Sequence, residues 1–417
     1  MDSIPRLRPH AKRWLLDSAL NPHIDGYVAY LSRNRFAART AQQHLAGVAH
    51  FAQWMTQSRL ILTKVDESAV TRFLDNHLPQ CDCRTPAERN RTHLRAACGY
   101  LLQVLRDCGA IPMPALATGA IADEIRNFDA HMSNAQGLAD ATRQNYIWVV
   151  QRFLVAEFGK RSVVISRLQP ADVRKFIADE LDLRGTKSNT IALASGLRAY
   201  FRYRVTLGDQ VHGLVGVIGS PARWSLASLP RCLSADEIDR LLDAFPSTLP
   251  SRRRGYAMVR CALDMGLRTG EIANLALADI DWSNGTITVR RNKSRREDIL
   301  PMPATTGQAI VDYLQFERPP TTSPAVFTRR LPPHDVPVSS YAVHRLIRDA
   351  YHRIGLDHGR VHALRHTLAS RMLEHGSTLK EVADVLRHRS LNTTLIYAKL
   401  DSRNLLAVAL PWPGSPV

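Results

Sequence analysis

The chain has 417 residues, with 55 Lys and Arg against 38 Asp and Glu, a formal net charge of +17 and a pI near 10.0. A composition of 45% hydrophobic and 22% charged residues is that of a globular protein, which excludes disordered and fibrous classes. No apolar run approaches the ~18 residues of a membrane span, and the basic excess points to a polyanionic partner, nucleic acid first.

At the N-terminus, Met1–Asp25 has basic residues but no sustained apolar stretch and no small-residue cleavage site, so a secretory leader is not expected and the cytoplasm is. Two stretches read as linkers: the Pro-containing run 111–120 and the Gly, Pro and Ser-bearing run 208–233. They set expected domains at 1–115, 116–220 and 226–417. The first two domains resemble each other. Thr40 and Thr142 each precede a helix-period apolar pattern with an aromatic residue eleven positions on, at Phe51 and Phe153. Further matches follow between 66–74 and 169–177, and between 92–109 and 190–208. The N-terminal domain is therefore a candidate duplicate of the second, against the alternative that any two four-helix domains share such patterns.

Six cysteines, at 81, 83, 98, 108, 232 and 261, are few and irregularly spaced, which favours reduced thiols over a disulfide framework. His77, Cys81 and Cys83 fall within seven residues, with Cys98 or His93 as a fourth soft ligand. Zinc would accept that set, although C-x-C is not a standard finger spacing and buried or incidental thiols explain it as well.

The third domain opens on a capping box, Ser234 with Glu237, followed by a helix over Tyr256–Met265. Gly285–Val289 and Asp298–Met302 flank a polar basic turn and predict a β-hairpin. Helices resume after Pro337. The expected fold class is mainly α and multidomain: two helical, all-α domains, then a mixed α+β domain with a small β-sheet.

Four segments of the third domain carry the chemistry: G-L-R-T-G at 266–270, the basic turn 290–298, H-A-L-R-H at 362–366, and 386–401 with His388 and Tyr397. Together, over about residues 229–402, they resemble the tyrosine recombinase (phage integrase) family, which carries an Arg in a G-L-R motif, a hairpin Lys, an H-x-L-R-H box, a later His and a Tyr nucleophile. The resemblance implies SAM-like helical DNA-binding domains ahead of the catalytic domain, no cofactor, and double-stranded DNA as partner. It also implies a homo-tetramer on paired sites, with companion recombinases suggested by the length of the chain.

The residue types suit that chemistry. Rejoining a phosphodiester without an energy source requires a covalent intermediate, and Tyr397, nine residues after His388, is the candidate nucleophile. The resemblance makes the product a 3′-phosphotyrosine and a 5′-hydroxyl. Planar guanidinium groups match the developing charge on phosphate oxygens, so Arg268 and Arg365 are the expected clamps. His362 is expected to orient or deprotonate the attacking hydroxyl, and His388 to donate to the phosphate. Glu271 reads as a carboxylate that orients the Arg or His, or as simple complement to a helix N-terminus. Only eight basic residues are Lys against 47 Arg, a skew that GC-rich coding explains. Against it, Lys293 in the turn R-R-N-K-S-R-R stands out as the general acid for the leaving 5′-oxygen, because Arg cannot give up a proton near neutrality.

One position departs from the family: Arg387 stands where Gly usually precedes the second His, at a cost of about 1 kcal/mol if the backbone is left-handed. Expected DNA contacts are Arg143, Lys187, Arg198, Arg202 and Arg204 in the second domain, with Arg291 and Arg295 in the hairpin. A competing reading takes 378–399, opened by a Thr378–Glu381 capping box, as the helix-turn-helix of a non-catalytic regulator or accessory subunit.

Overall fold

The computed structural model describes residues 7–83, 87–113, 118–159, 161–184, 187–219, 230–290, 297–356, 361–388 and 393–400. Two compact units are formed, residues 1–111 together with 225–417, and residues 112–224. The architecture is the expected one, mainly α with two helical domains ahead of a mixed α+β domain.

The N-terminal helical domain comprises α1 (Pro9–Leu16), α2 (Ile24–Arg33), α3 (Ala38–Gln57), α4 (Glu67–Arg72) and α5 (Arg91–Asp107). Apolar residues spaced at helical period on α3 and α5 pack these helices together, with Leu45, Val48, Phe51, Leu94 and Leu101 fully buried between them and their neighbours. Asp66 caps α4 by accepting from the Ala69 amide at 2.8 Å. The helix then widens into one π turn, Phe73–His77.

The middle unit repeats this order. It contains α6 (Ala120–Asn134), α7 (Asp140–Phe158), α8 (Pro170–Arg184), α9 (Lys187–Thr206) and α10 (His212–Gly216). Here α7 and α9 pack together as α3 and α5 do. The aligned aromatics occupy equivalent places: Phe51 meets Phe73 edge-on at 5.3 Å, and Phe153 meets Phe176 edge-on at 5.2 Å.

In the C-terminal domain, α11 (Ala235–Asp243) starts at the Ser234–Glu237 capping box read from the sequence. Helix α12 (Arg252–Asp264) is its axis: Ala257, Met258, Val259, Cys261, Ala262 and Leu263 are all buried. Against it pack α13 (Thr269–Asn274), α14 (Ala304–Phe316), α15 (Ser340–Arg353) and α16 (Val361–Glu374). Strands β1 (Ile280–Asp281), β2 (Thr286–Val289) and β3 (Asp298–Pro301) form an antiparallel sheet in that order, with Val289 opposite Asp298 where the hairpin leaves the sheet. Helix α17 (Leu379–Val385) follows the Thr378–Glu381 capping box, and a 3₁₀ stretch at Leu395–Leu400 carries Tyr397. Among the described residues no helix is long and apolar enough to cross a membrane.

The equivalence of Phe51 and Phe153 predicts matched effects. Both are fully buried, so Phe51→Ala and Phe153→Ala should each destabilise their own domain by about 3–5 kcal/mol. Urea unfolding of the full chain is expected to show an earlier first transition in each variant.

Candidate active site

Three turns bring the site together. Gly266 ends the run after α12 with φ of +58°, and a Cβ there would lie 2.8 Å from Leu386 and 3.0 Å from Leu368, so both backbone and packing demand glycine. Its carbonyl is turned toward the guanidinium groups. Arg268 follows as the residue ahead of α13, and α16 supplies the adjacent Arg365 and His366. The end of α17 supplies Leu386, Arg387 and His388.

That last turn is a Schellman motif. The His388 amide donates to the Ala383 carbonyl at 2.9 Å, the Arg387 amide to Asp384 at 3.0 Å, and Arg387 is left-handed with φ of +53°. This geometry explains why the family places Gly before the second His. Here Arg387 takes the strain and uses its side chain. Its Nη2 donates to Glu271 Oε2 at 2.7 Å and to the Gly266 carbonyl at 3.2 Å, almost wholly out of solvent.

Glu271 is the hub. It accepts from the Arg268 amide at 2.8 Å, from Arg268 Nη1 at 2.7 Å and from Arg387. Burial pushes its carboxyl up, but Arg387 and Arg268 outweigh burial and hold it below the usual carboxylate range. Arg365 donates to the Gly266 and Leu386 carbonyls. Burial, then the neighbouring Arg268 and Arg387, depress its guanidinium to about 9. Three arginines thus gather around one carboxylate, which pairs directly with Arg268 and Arg387 but not with Arg365. A site built this way has room in its charge balance for an anion, and a tetrahedral phosphate oxygen set is what forked guanidinium groups fit.

Beside these arginines lies Tyr397, buried on Ala369, Leu373, Val382 and Leu386. Its hydroxyl is 2.7 Å from His366 Nδ1. Burial raises the phenol to about 12, so it holds its proton at neutral pH and needs a base to act as nucleophile. Burial first, then His362 and Arg365, lower His366 to about 4, which leaves it neutral and able to accept that proton. His388 is likewise lowered to about 4 by burial and the three arginines. Its Nδ1 is 2.8 Å from Thr394 Oγ1, and its ring lies parallel to that of Tyr397 with centroids 6.4 Å apart.

Comparison with known proteins gives the same answer as the geometry. The pattern of the phage integrase family matches residues 231–403. A putative integrase/recombinase, y4rA, of Sinorhizobium fredii is 34% identical over 400 residues, covering 94% of both chains. The chain belongs to this family. The tyrosine recombinase XerA of Thermococcus kodakarensis is 29% identical over 67% of this chain and 92% of its own. Among solved structures, the XerH site-specific recombinase bound to palindromic difH substrate matches 90% of this chain and 97% of that one, at 16% identity and a TM-score of 0.51. The lambda integrase (75–356) dimer bound to a COC′ core site matches 67% and 94%, also at 16% identity and a TM-score of 0.51. At these identities the likeness is one of fold. Family membership makes the chain a tyrosine-type DNA strand-transferase.

Of the residues expected from sequence, Arg268, Glu271, Arg365, His388 and Tyr397 come together. His362 lies on the exposed side of α16, its ring 6.5 Å from that of His366. Lys293, Arg291 and Arg295 lie outside the described residues. Two site residues were not assigned from sequence. His366 was visible in the H-A-L-R-H box, with only the first His given a role, and Arg387 was noted only as a departure from the family. In the middle unit, Arg143 is held by Asp129 at 3.2 Å and Asp140 at 2.9 Å, and Arg204 by Glu124 at 2.9 Å and Asp209 at 2.7 Å. Both are mostly buried ion-pair members that brace the helices. Arg198 donates to the Ile218 carbonyl, Arg202 is exposed, and the Lys187 side chain lies outside the described ones.

Two predictions follow from the charge balance and the histidines. Glu271→Gln leaves three guanidinium groups without their carboxylate and should destabilise the domain by about 3–5 kcal/mol. In thermal melts at low ionic strength, added inorganic sulfate should restore part of the loss, more than an equal concentration of chloride does. The second concerns pH. In the unfolded chain His366 and His388 each bind a proton near 6.5, but in the fold only near 4, so their contribution to stability is complete above 6.5 and is lost as pH falls toward 4. Melting temperature should decline over that window, and His366→Gln combined with His388→Asn should flatten the decline.

Proposed function

We propose that this chain is a site-specific DNA recombinase that integrates and excises a mobile element through a covalent 3′-phosphotyrosine at Tyr397. The observation that carries the reading is the pairing of a buried, protonated Tyr397 hydroxyl with a neutral His366, beside three arginines gathered around one carboxylate that pairs with two of them. Arg268 and Arg365 would grip the non-bridging oxygens of the scissile phosphate, held in place by Glu271 and by the Gly266 and Leu386 carbonyls. His388 donates to the same phosphate.

Tyr397 Oη attacks phosphorus as its proton passes to His366. A Tyr–phosphorus bond forms, the bond from phosphorus to the 5′-oxygen breaks, and that oxygen takes a proton from Lys293. His362, one helical turn from His366, helps to position the attacking group. The number of phosphoester bonds is unchanged, so the intermediate keeps the energy needed for rejoining when a 5′-hydroxyl from a second strand reverses the steps.

Duplex DNA is the partner this chemistry requires, and the solved relatives with XerH and lambda integrase names hold DNA. Exchange between two duplexes calls for four active sites, hence a homo-tetramer on paired sites, with companion recombinases where an element encodes several. The exposed Arg202 is the described member of the expected phosphate contacts best placed to meet a backbone, and Lys187, Arg291 and Arg295 complete that set. The work is cytoplasmic, where DNA is found.

The test is a nicked duplex carrying the ends of the protein's own element, from which a cleaved strand cannot religate. Wild type should form a covalent protein–DNA adduct that survives detergent, Tyr397→Phe should form none, and His366→Ala should form it about 10²–10⁴-fold more slowly. No adduct with wild type, or an undiminished one in Tyr397→Phe, removes the proposal and favours a binding or accessory role.

A further inference from the structure

The N-terminal domain holds a polar cluster that recombination chemistry does not use. One atom each of His50, His77, Cys81 and Cys83 lies within 4.8 Å of every other. His77 Nε2 is 3.3 Å from His50 Nε2 and 3.6 Å from Cys83 Sγ, and His50 Nε2 is 3.1 Å from Cys81 Sγ. For zinc, with bonds of about 2.0 Å to nitrogen and about 2.3 Å to sulfur, tetrahedral geometry places ligand atoms about 3.3 Å apart for two nitrogens, about 3.6 Å for nitrogen and sulfur, and about 3.8 Å for two sulfurs. The two imidazole nitrogens and the His77–Cys83 pair are at that spacing, and the other ligand atoms lie within 4.8 Å of one another.

We infer that His50, His77, Cys81 and Cys83 form a tetrahedral zinc site that ties α3 to the segment between α4 and α5.

Three observations support the assignment beyond spacing. His50 Nδ1 donates to the Glu88 carbonyl at 2.8 Å, which fixes the tautomer and leaves the Nε2 lone pair facing the other three groups. His50 and Cys83 are buried, and both rings pack on Phe73, His50 edge-on at 5.2 Å and His77 stacked at 5.5 Å, so the inner face of the site is closed by an aromatic. Finally, the π turn Phe73–His77 swings His77 toward α3, and such one-turn widenings recur at functional sites.

The middle unit offers a comparison within the same chain. His50 directly precedes Phe51 as Arg152 precedes Phe153, and His77 follows Phe73 by four residues as Glu180 follows Phe176. Arg152 and Glu180 are joined by an ion pair. The two repeats therefore carry a polar tie at the same place, an ion pair in one and the imidazole pair of the cluster in the other. Cys81 and Cys83 extend the tie to the loop that leads into α5, a loop whose regular structure among the described residues is one 3₁₀ turn, Leu78–Gln80.

The sequence had offered Cys98 as a fourth ligand, with His93 beside it. Cys98 instead lies fully buried in α5 against the N-terminal core, and His93 Nδ1 is 3.8 Å from a Glu88 carboxylate oxygen. His50 takes the place, 27 residues before His77, where a helix-period reading marks only another inward-facing position.

The experiment uses the full chain, untagged and purified under reducing conditions without chelator. Elemental analysis should find about one zinc per chain, unchanged in Cys98→Ser and in Tyr397→Phe, and less than a tenth of that in Cys81→Ser combined with Cys83→Ser. Because that double variant can misfold, wild type is also tested by exchange with cobalt(II), which should give the strong visible absorption of a tetrahedral site with thiolate ligands, and His50→Gln should abolish it. Three results overturn the assignment: wild type with neither zinc nor cobalt uptake, a Cys81–Cys83 disulfide in freshly purified reduced protein, or zinc retained in His50→Gln but lost in Cys98→Ser. None depends on strand cleavage, so the outcome is independent of the proposed recombination.

Discussion

The catalytic domain is organised around a charge imbalance. Arg268, Arg365 and Arg387 converge on one carboxylate, Glu271, which holds Arg268 and Arg387 directly, and all but Arg268 are nearly out of solvent. A buried guanidinium loses several kcal/mol of hydration, which a partner at close range returns only with good geometry. Glu271 returns it for Arg268 and Arg387. Arg365 has carbonyl oxygens instead, which solvate its N–H groups but do not cancel its charge, and its depression to about 9 registers that deficit. The fold therefore stores unfavourable electrostatics, which an anion seated among these arginines would relieve.

The position before His388 shows how that imbalance is tolerated. A left-handed residue there is forced by the Schellman turn, and a side chain with a Cβ costs about 1 kcal/mol relative to Gly. The charge-assisted bond from Arg387 to Glu271 is worth about 1.5–3 kcal/mol, which exceeds that cost. The substitution also changes what Glu271 does: with two arginines pulling on opposite oxygens, its carboxylate cannot rotate, and Arg268 is fixed with it. What reads in sequence as a departure from the family is in the structure a second brace on Glu271, and through it on Arg268.

Local patterns in the sequence carried most of the fold. The capping boxes at Ser234 and Thr378 form as read, the hairpin strands fall within a residue of their expected ends, and the inward aromatics Phe51 and Phe153 sit in matching cores. Arg268, Arg365, His388 and Tyr397 were legible because short motifs fix them. Long-range polar pairing was not legible. Arg204 looked like a surface cation because its partner Glu124 is 80 residues away, and His50 looked like one more core position of α3 because its partners follow in another segment. His366 was missed for a different reason. Its motif was visible, but which of two histidines one turn apart reaches the tyrosine depends on where the 3₁₀ stretch after α17 places Tyr397, and no spacing rule gives that.

The two helical domains show why one tie cannot simply replace the other. In the middle unit, α7 and α8 are joined directly, and an Arg–Glu pair suffices because both partners project from regular helices. In the N-terminal domain the helix after Asp66 breaks into a π turn and a 3₁₀ turn, and the described residues that follow, 81–83 and 87–90, lie outside any helix. A pairwise ion bridge restrains two residues. A four-ligand centre restrains three segments at once and sets the angle between them, while its thiolate and imidazole ligands need not carry a permanent charge into the core when they fold. The loss of helical regularity after Phe73 and the gain of two cysteines beyond it are thus two sides of one structural change.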